Sequence, residues 1–153
     1  MITAALSIPC MPWEPSRGAR FVRHAAPAIR VLCVARKLVI KVTAGKEEPE
    51  RCNQAFTVAS TAIASGVPVS LWLTGEAAWF AVPGRADDFS LPHAAPLADL
   101  LASVVALGTV TVCGQCAARR DITPQDVISG VRIAGSATFV SEVVAEDVQA
   151  LVY

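Results

Sequence analysis

From Lys37 onward the chain alternates short β-branched runs with stretches of helical period, and that alternation leaves few folds open. Lys37 to Val42 reads Lys-Leu-Val-Ile-Lys-Val and stops at Thr43-Ala44-Gly45, which predicts a strand followed by a turn. Cys52, Phe56, Ala59 and Ile63 recur at spacings of four, three and four, one face of a helix over Arg51 to Ser65. Glu47, Glu48 and Glu50 lie at its start, where the helix dipole favours negative charge, and Gly66 ends it.

Val67 to Leu73 predicts a second strand, with Pro68 tolerated near its beginning. Thr74-Gly75-Glu76 turns into a short helix around Ala77 to Ala81. Pro83, Gly84, Pro92 and Pro96 break up the stretch from Val82 to Pro96, a loop of functional length. Leu97, Leu100, Leu101 and Val104 mark a further helix, stopped at Gly108. Thr109 to Val112 is the third strand, with Cys113 at its carboxyl end. Thr123 as N-cap and Pro124 as first helical residue predict a helix over Ile122 to Ser129. A strand at Val131 to Ala134, a helix over Ser136 to Ala145 capped by Ser136, and a strand at Val148 to Tyr153 complete the pattern.

Strands alternating with helices imply an α/β fold with a mostly parallel five-stranded sheet and helices on both faces, a three-layer sandwich of the flavodoxin-like, doubly wound type. Ligand sites in such sheets lie beyond the carboxyl ends of the strands. That selects Gly45-Lys46, Thr74-Gly75-Glu76 and Cys113 to Cys116.

Charge narrows the function classes. Of the 13 basic and 13 acidic residues, 1–36 hold five arginines and one acid, which leaves eight basic against twelve acidic residues in the remainder. The domain is mildly acidic and lacks the basic face that drives nucleic-acid binding. No apolar run reaches the roughly 18 residues that span a bilayer. Thr43-Ala-Gly-Lys-Glu-Glu lacks GxGxxG spacing, so no dinucleotide cofactor is expected. Residues 1–35, with four prolines between Ile8 and Ala35 and no running period, read as a disordered extension or a start assigned too far upstream; residues 36–153 form the domain. Five cysteines without a disulfide spacing, and no convincing secretory signal, point to a reducing cytoplasm.

Cys113-Gly-Gln-Cys116 is a CxxC turn. Three mechanisms use such a pair: a nucleophilic thiolate, helped by the nearby Arg119 and Arg120; a dithiol–disulfide cycle; or half of a zinc site. Zinc is disfavoured, because a structural site needs four ligands, no second CxxC exists, and His24 and His93 are isolated. A further reading makes Cys113 the last core residue of its strand, since free cysteine is a common small buried hydrophobe.

Lys-Leu-Val-Ile-Lys-Val, Gly66-Val-Pro-Val-Ser-Leu-Trp-Leu-Thr-Gly75, Val110-Thr-Val-Cys113-Gly-Gln-Cys116 followed by Asp121-Ile-Thr, Val127-Ile-Ser-Gly-Val-Arg-Ile-Ala-Gly135 and the closing Glu146 to Tyr153 together resemble the DsrE/DsrF-like family of sulfur-handling proteins, over roughly residues 37–153. The resemblance implies a subunit that assembles into trimers or hexamers. It implies sulfur carried as a persulfide on a cysteine after the third strand, the block matched by Cys113, with donor and acceptor proteins as partners. Cys116 is then a resolving thiol or itself the carrier. Two alternatives stay open: a CxxC thiol–disulfide protein, and a non-catalytic oligomeric binding subunit with unreactive cysteines. Of the other residues, Glu76 reads as a helix cap, His93 as an exposed loop histidine, Lys46 as solvated, Cys52 as buried on its helix, and Trp72, Trp79 and Phe80 as core or subunit-contact residues.

Overall fold

A computed structural model describes residues 36–153. The expected extension over residues 1–35, with Cys10, Cys33 and His24, lies outside the described residues. The elements are β1 (Lys37–Val42), α1 (Pro49–Ala64), β2 (Val69–Leu73), a 3-10 helix (Gly75–Ala81), α2 (Leu97–Leu107), β3 (Thr109–Cys113), α3 (Gly114–Ala118), β4 (Val131–Ala134), α4 (Ser136–Val143) and β5 (Val148–Val152).

All strand pairs are parallel, in the order β4-β3-β2-β1-β5. The chain winds outward from β1 through β4, then crosses back to place β5 on the other side of β1. Right-handed crossovers put the helices of the outward steps on one face and the helix of the return step on the other. Ile40, Val42, Leu71, Leu73, Val110 and Val112 form the core with Cys52, Phe56 and Ala59 of α1 and Leu97, Leu101 and Val104 of α2. Edge-to-face contacts of Phe80 with Phe56 (5.9 Å between centroids) and Phe89 (5.8 Å) tie the 3-10 helix and the following loop to that core. Each such pair contributes about 1 kcal/mol beyond area burial.

The opposite face is more polar, though Val39, Ser70, Trp72 and Thr111 on it are buried. Strand alternation puts Val39, Lys41, Ser70, Trp72, Thr111 and Arg132 there. Among the described residues its one helix is α4, which has no fully buried residue. It rests Phe139 edge-on against Trp72 (5.2 Å between centroids) and lowers Glu142 onto the sheet. Ser70 Oγ donates to Glu142 Oε2 (2.6 Å), Trp72 Nε1 donates to the same oxygen (3.3 Å), Lys37 lies at 3.7 Å and Arg132 pairs with the other oxygen. Partial burial pushes the Glu142 carboxyl up, but the Ser70 and Trp72 hydrogen bonds and the Lys37 and Arg132 contacts outweigh it and hold it below its ordinary value. A depressed carboxyl stabilises the fold above its unfolded pKa, and loses that contribution as pH falls through the folded value. Glu142→Gln is therefore expected to cost about 1–3 kcal/mol at neutral pH. The gap to wild type in urea titrations should close as pH drops below about 4; a gap independent of pH would contradict the charge assignment.

Two expectations are corrected. No helix forms over residues 122–129. Thr123 N and Oγ1 both donate to Asp126 Oδ2 (2.8 and 2.6 Å), so the cap signal closes a single turn. The flanks are committed elsewhere: Ile122 is buried with its N–H on Ala117 O, and the Ile128 N–H donates to Ala81 O. Ser136 does not cap α4; Gly135 holds the N-cap position and Ser136 is the first helical residue.

Candidate functional site

β3 carries Val110, Thr111 and Val112 through the buried centre of the sheet and delivers Cys113, half-buried, at its carboxyl end beside Ala134 of β4. The alternation of β3 turns Cys113 to the same face as Thr111, the α4 side. The chain passes directly into α3, with Cys113 at its N-cap position and Cys116 one turn later. Cys116 is buried, and its Sγ accepts a hydrogen bond from the Gly75 N–H (3.2 Å).

That amide is in place because Gly75 turns the chain out of β2. Its φ is +53°, and a Cβ there would stand 2.5 Å from the Thr43 carbonyl oxygen. Gly45 is also needed, for a different reason. Its φ is not left-handed, but a Cβ would meet the Glu76 Cβ at 2.7 Å, so the turns after β1 and β2 touch there.

The two thiols are electrostatically unequal. Partial desolvation pushes the Cys113 thiol up, but the Cys116 and Gln115 amides, the Cys116 thiol and the charge of Lys41 together bring it below its ordinary value. No strict side-chain cap hydrogen bond closes on α3, so these amides act as dipoles at short range. Desolvation, donation to Cys113 and repulsion by its charge raise Cys116, against the lowering effects of the Gly75 amide and Arg120. Of the two neighbouring sulfurs, Cys113 thus gives up its proton more readily and Cys116 less readily than an ordinary cysteine. Cys52 differs from both: burial and the Glu47 charge push it up to about 12.

This inequality sets an expected reactivity order. Among the described cysteines, iodoacetamide should modify Cys113 first, with a pH midpoint below that of a free cysteine, and Cys52 only after denaturation. Peptide mapping of protein alkylated for increasing times checks the order; early modification of Cys52 would contradict it.

Several residues singled out in the sequence take definite places. Arg120 lies beside the pair, with Nη1 donating to Cys116 O (3.1 Å) and Nη2 bound to Glu76 Oε1 (2.6 Å). Glu76 is thus an ion-pair partner, and Thr74 holds the N-cap position of the 3-10 helix. Arg119 is exposed and has no salt bridge among the described residues. His93, at φ +62°, lies in the loop against Asn53 and Thr57 of α1. Trp72 and Phe80 are buried, Trp79 half-buried.

The residue that sequence reading missed is Lys41. Among the described residues it is the base whose charge lowers Cys113, yet it lies two strands away on β1, paired with Trp72 of β2. Its Nζ stands 5.2 Å from the Phe139 ring centroid, a cation–π contact that holds the ammonium on the α4 side. The available signal was the Lys-Leu-Val-Ile-Lys-Val alternation, which puts Lys41 on the face opposite Ile40.

A five-stranded parallel sheet flanked by helices, with two cysteines one turn apart at the end of β3, defines a small α/β protein. A family model described as the DsrE/DsrF-like family matches residues 36–147, and the chain belongs to that family. Comparison with curated proteins gives no match. Among solved structures, the chain is similar to the ychN protein from E. coli, with a TM-score of 0.65 and 19% identity over 77% of this chain and 99% of that one. It is also similar to MTH1491 of Methanobacterium thermoautotrophicum, a protein of unknown function, with a TM-score of 0.57 and 10% identity over 77% and 99%. At these identities the likeness is one of fold. Among the described residues, no helix is long and apolar enough to cross a membrane.

Proposed function

We propose that this protein carries sulfur as a persulfide on Cys113, in the reducing environment of the cytoplasm. What supports the reading is the asymmetry of the pair: the more accessible thiol is the one whose surroundings loosen its proton, and the buried one is the one whose proton is held more tightly. Membership of a family that includes sulfur-relay proteins agrees with it.

The step balances without an external oxidant. The Cys113 thiolate attacks the outer sulfur of a donor persulfide, R–S–SH. The donor S–S bond breaks, RS⁻ leaves with the electron pair, and Cys113–S–SH forms. Delivery is the reverse step with an acceptor thiolate. Cys116 has a second use: its thiolate attacks the inner sulfur of the persulfide, forming the Cys113–Cys116 disulfide and expelling hydrosulfide. The proximity of the two sulfurs favours that branch, which is also the step a thiol–disulfide protein would use.

The second sheet face supports assembly with further copies of this chain, as a trimer or hexamer. α4 and its C-cap expose Val140 (53%) and Val144 (73%), one turn apart. A helix with no fully buried residue gains its apolar burial from a neighbour.

The test is intact-mass analysis of the native protein after brief incubation with a persulfide donor, before and after pre-alkylation. One added sulfur, blocked by alkylation, is the expected result. No adduct, with both thiols of the turn inert to alkylation until the protein is denatured, would remove the carrier and the disulfide readings and leave a binding subunit.

A further inference from the structure

A cleft of about 210 Å³ is lined by Lys46, Glu47, Glu76, Trp79, Phe80 and Arg85. It lies at the carboxyl ends of β1 and β2, where ligands of parallel sheets bind. The lining includes neither cysteine, but one of its residues is tied to the cysteine turn: Gly75 donates its N–H to Cys116 Sγ, and Glu76, the next residue, lines the cleft and binds Arg120, which holds Cys116 O.

The lining is charged in both senses. Two cations enter it with weak or no competing partners. Lys46 meets Asp88 only at 3.9 Å, with both side chains more than half exposed. Arg85 forms no salt bridge among the described residues and stacks over Trp79 (5.1 Å to the ring). The two carboxylates are held in fixed positions. Glu47 Oε1 accepts from the Gly45 N–H (2.9 Å), and Glu76 is set by Arg120 while its side chain stays 51% exposed. Trp79 and Phe80 supply an apolar wall. The volume is below the roughly 300 Å³ of sites for drug-sized ligands. A single anion would face the two carboxylates and a single cation the two bases, so the ligand that matches the lining carries both charges on a small frame.

We propose that the cleft binds a zwitterionic amino-acid thiol, with its carboxylate toward Lys46 and Arg85 and its ammonium toward Glu47 and Glu76. This rests on the carrier reading above: the bound thiol is the low-molecular-weight partner of Cys113. Its thiolate attacks the outer sulfur of Cys113–S–SH, the protein S–S bond breaks, the Cys113 thiolate leaves with the electron pair, and the amino acid departs as its persulfide. The same step in reverse loads the protein.

The experiment measures discharge of persulfidated protein by three thiols: L-cysteine, cysteamine, which lacks the carboxylate, and 3-mercaptopropionate, which lacks the ammonium. Each exposed charge contact is worth roughly two- to five-fold in affinity. L-Cysteine should therefore half-saturate discharge at a severalfold lower concentration than either analogue. Lys46→Ala with Arg85→Ala should erase its advantage over cysteamine, and Glu47→Gln should shrink its advantage over 3-mercaptopropionate. Equal half-saturation by all three thiols, on protein that still loads sulfur, would overturn the cleft assignment and leave the carrier reading intact. A parallel binding arm uses L-serine, which has no thiol, followed through the fluorescence of Trp79 against a Trp79→Phe control. Saturable quenching by L-serine in a protein that never loads sulfur would support the cleft and sink the carrier reading; absence of quenching in loading-competent protein would count against the cleft.

Discussion

Cys113→Ser takes up no sulfur from a persulfide donor, whereas Cys116→Ser loads one sulfur and holds it. The first half follows from ionisation. At neutral pH a serine hydroxyl stays protonated, and the amides, thiol and Lys41 charge that stabilise the Cys113 thiolate have no comparable anion to act on. The second half follows from what serine keeps at position 116. Its hydroxyl still donates to the Cys113 thiolate and still accepts from the Gly75 amide, so the nucleophile survives. What is lost is the sulfur that would expel hydrosulfide and close the disulfide, so the adduct should persist longer than in wild type. Cys116→Ala separates the two effects: it also removes the donor, which lets the Cys113 pKa rise and slows alkylation at neutral pH. Intact-mass time courses on the three variants check these outcomes. An adduct of wild-type amount on Cys113→Ser would move the carrier to Cys116.

Gly75→Ala destabilises the fold by about 2–5 kcal/mol, the sum of a left-handed backbone without glycine and a steric overlap. The overlap is with main chain: the new Cβ would lie 2.5 Å from the Thr43 carbonyl oxygen. That oxygen accepts the Glu76 N–H (3.1 Å), so it cannot swing away without opening the turn that lines the cleft. Gly66→Ala is the control. Its φ is +78° with nothing within 4 Å of a Cβ, so it should cost only the backbone share, about 1–2 kcal/mol. Urea titrations of both variants measure the difference, which isolates the steric contribution. A Gly75→Ala protein no less stable than Gly66→Ala would show that the β1 and β2 turns separate easily. Where Gly75→Ala does fold, the displaced amide should leave Cys116 more reactive toward alkylation, because the hydrogen bond to its sulfur is lost.

Much of the fold was legible in the residues. The β-branched runs of β1, β2 and β3, the four-three-four spacing of Cys52, Phe56, Ala59 and Ile63, and the glycine stops at Gly66 and Gly108 are local signals. They also agree with the buried faces the elements adopt. The segment 122–129 shows the limit: Thr-Pro is a sound helix start, but Asp126 turned the cap inward, and the Ala81 carbonyl claimed the Ile128 amide. A neighbour distant in sequence outcompeted the local helix.

For the site, the chain by itself determined that two cysteines stand one turn apart at a strand end, because strand, turn and CxxC are contiguous in residues 109–116. It also determined the acidic balance and the lack of a dinucleotide fingerprint, which are matters of composition and spacing. Only the tertiary structure decided which sulfur gives up its proton more readily. That depends on Lys41 from β1, on the Gly75 amide from the turn after β2, and on which thiol the packing buries, all set by parallel pairings between segments dozens of residues apart. Such arrangements are properties of sheet order and register, and no local run of residues encodes either one.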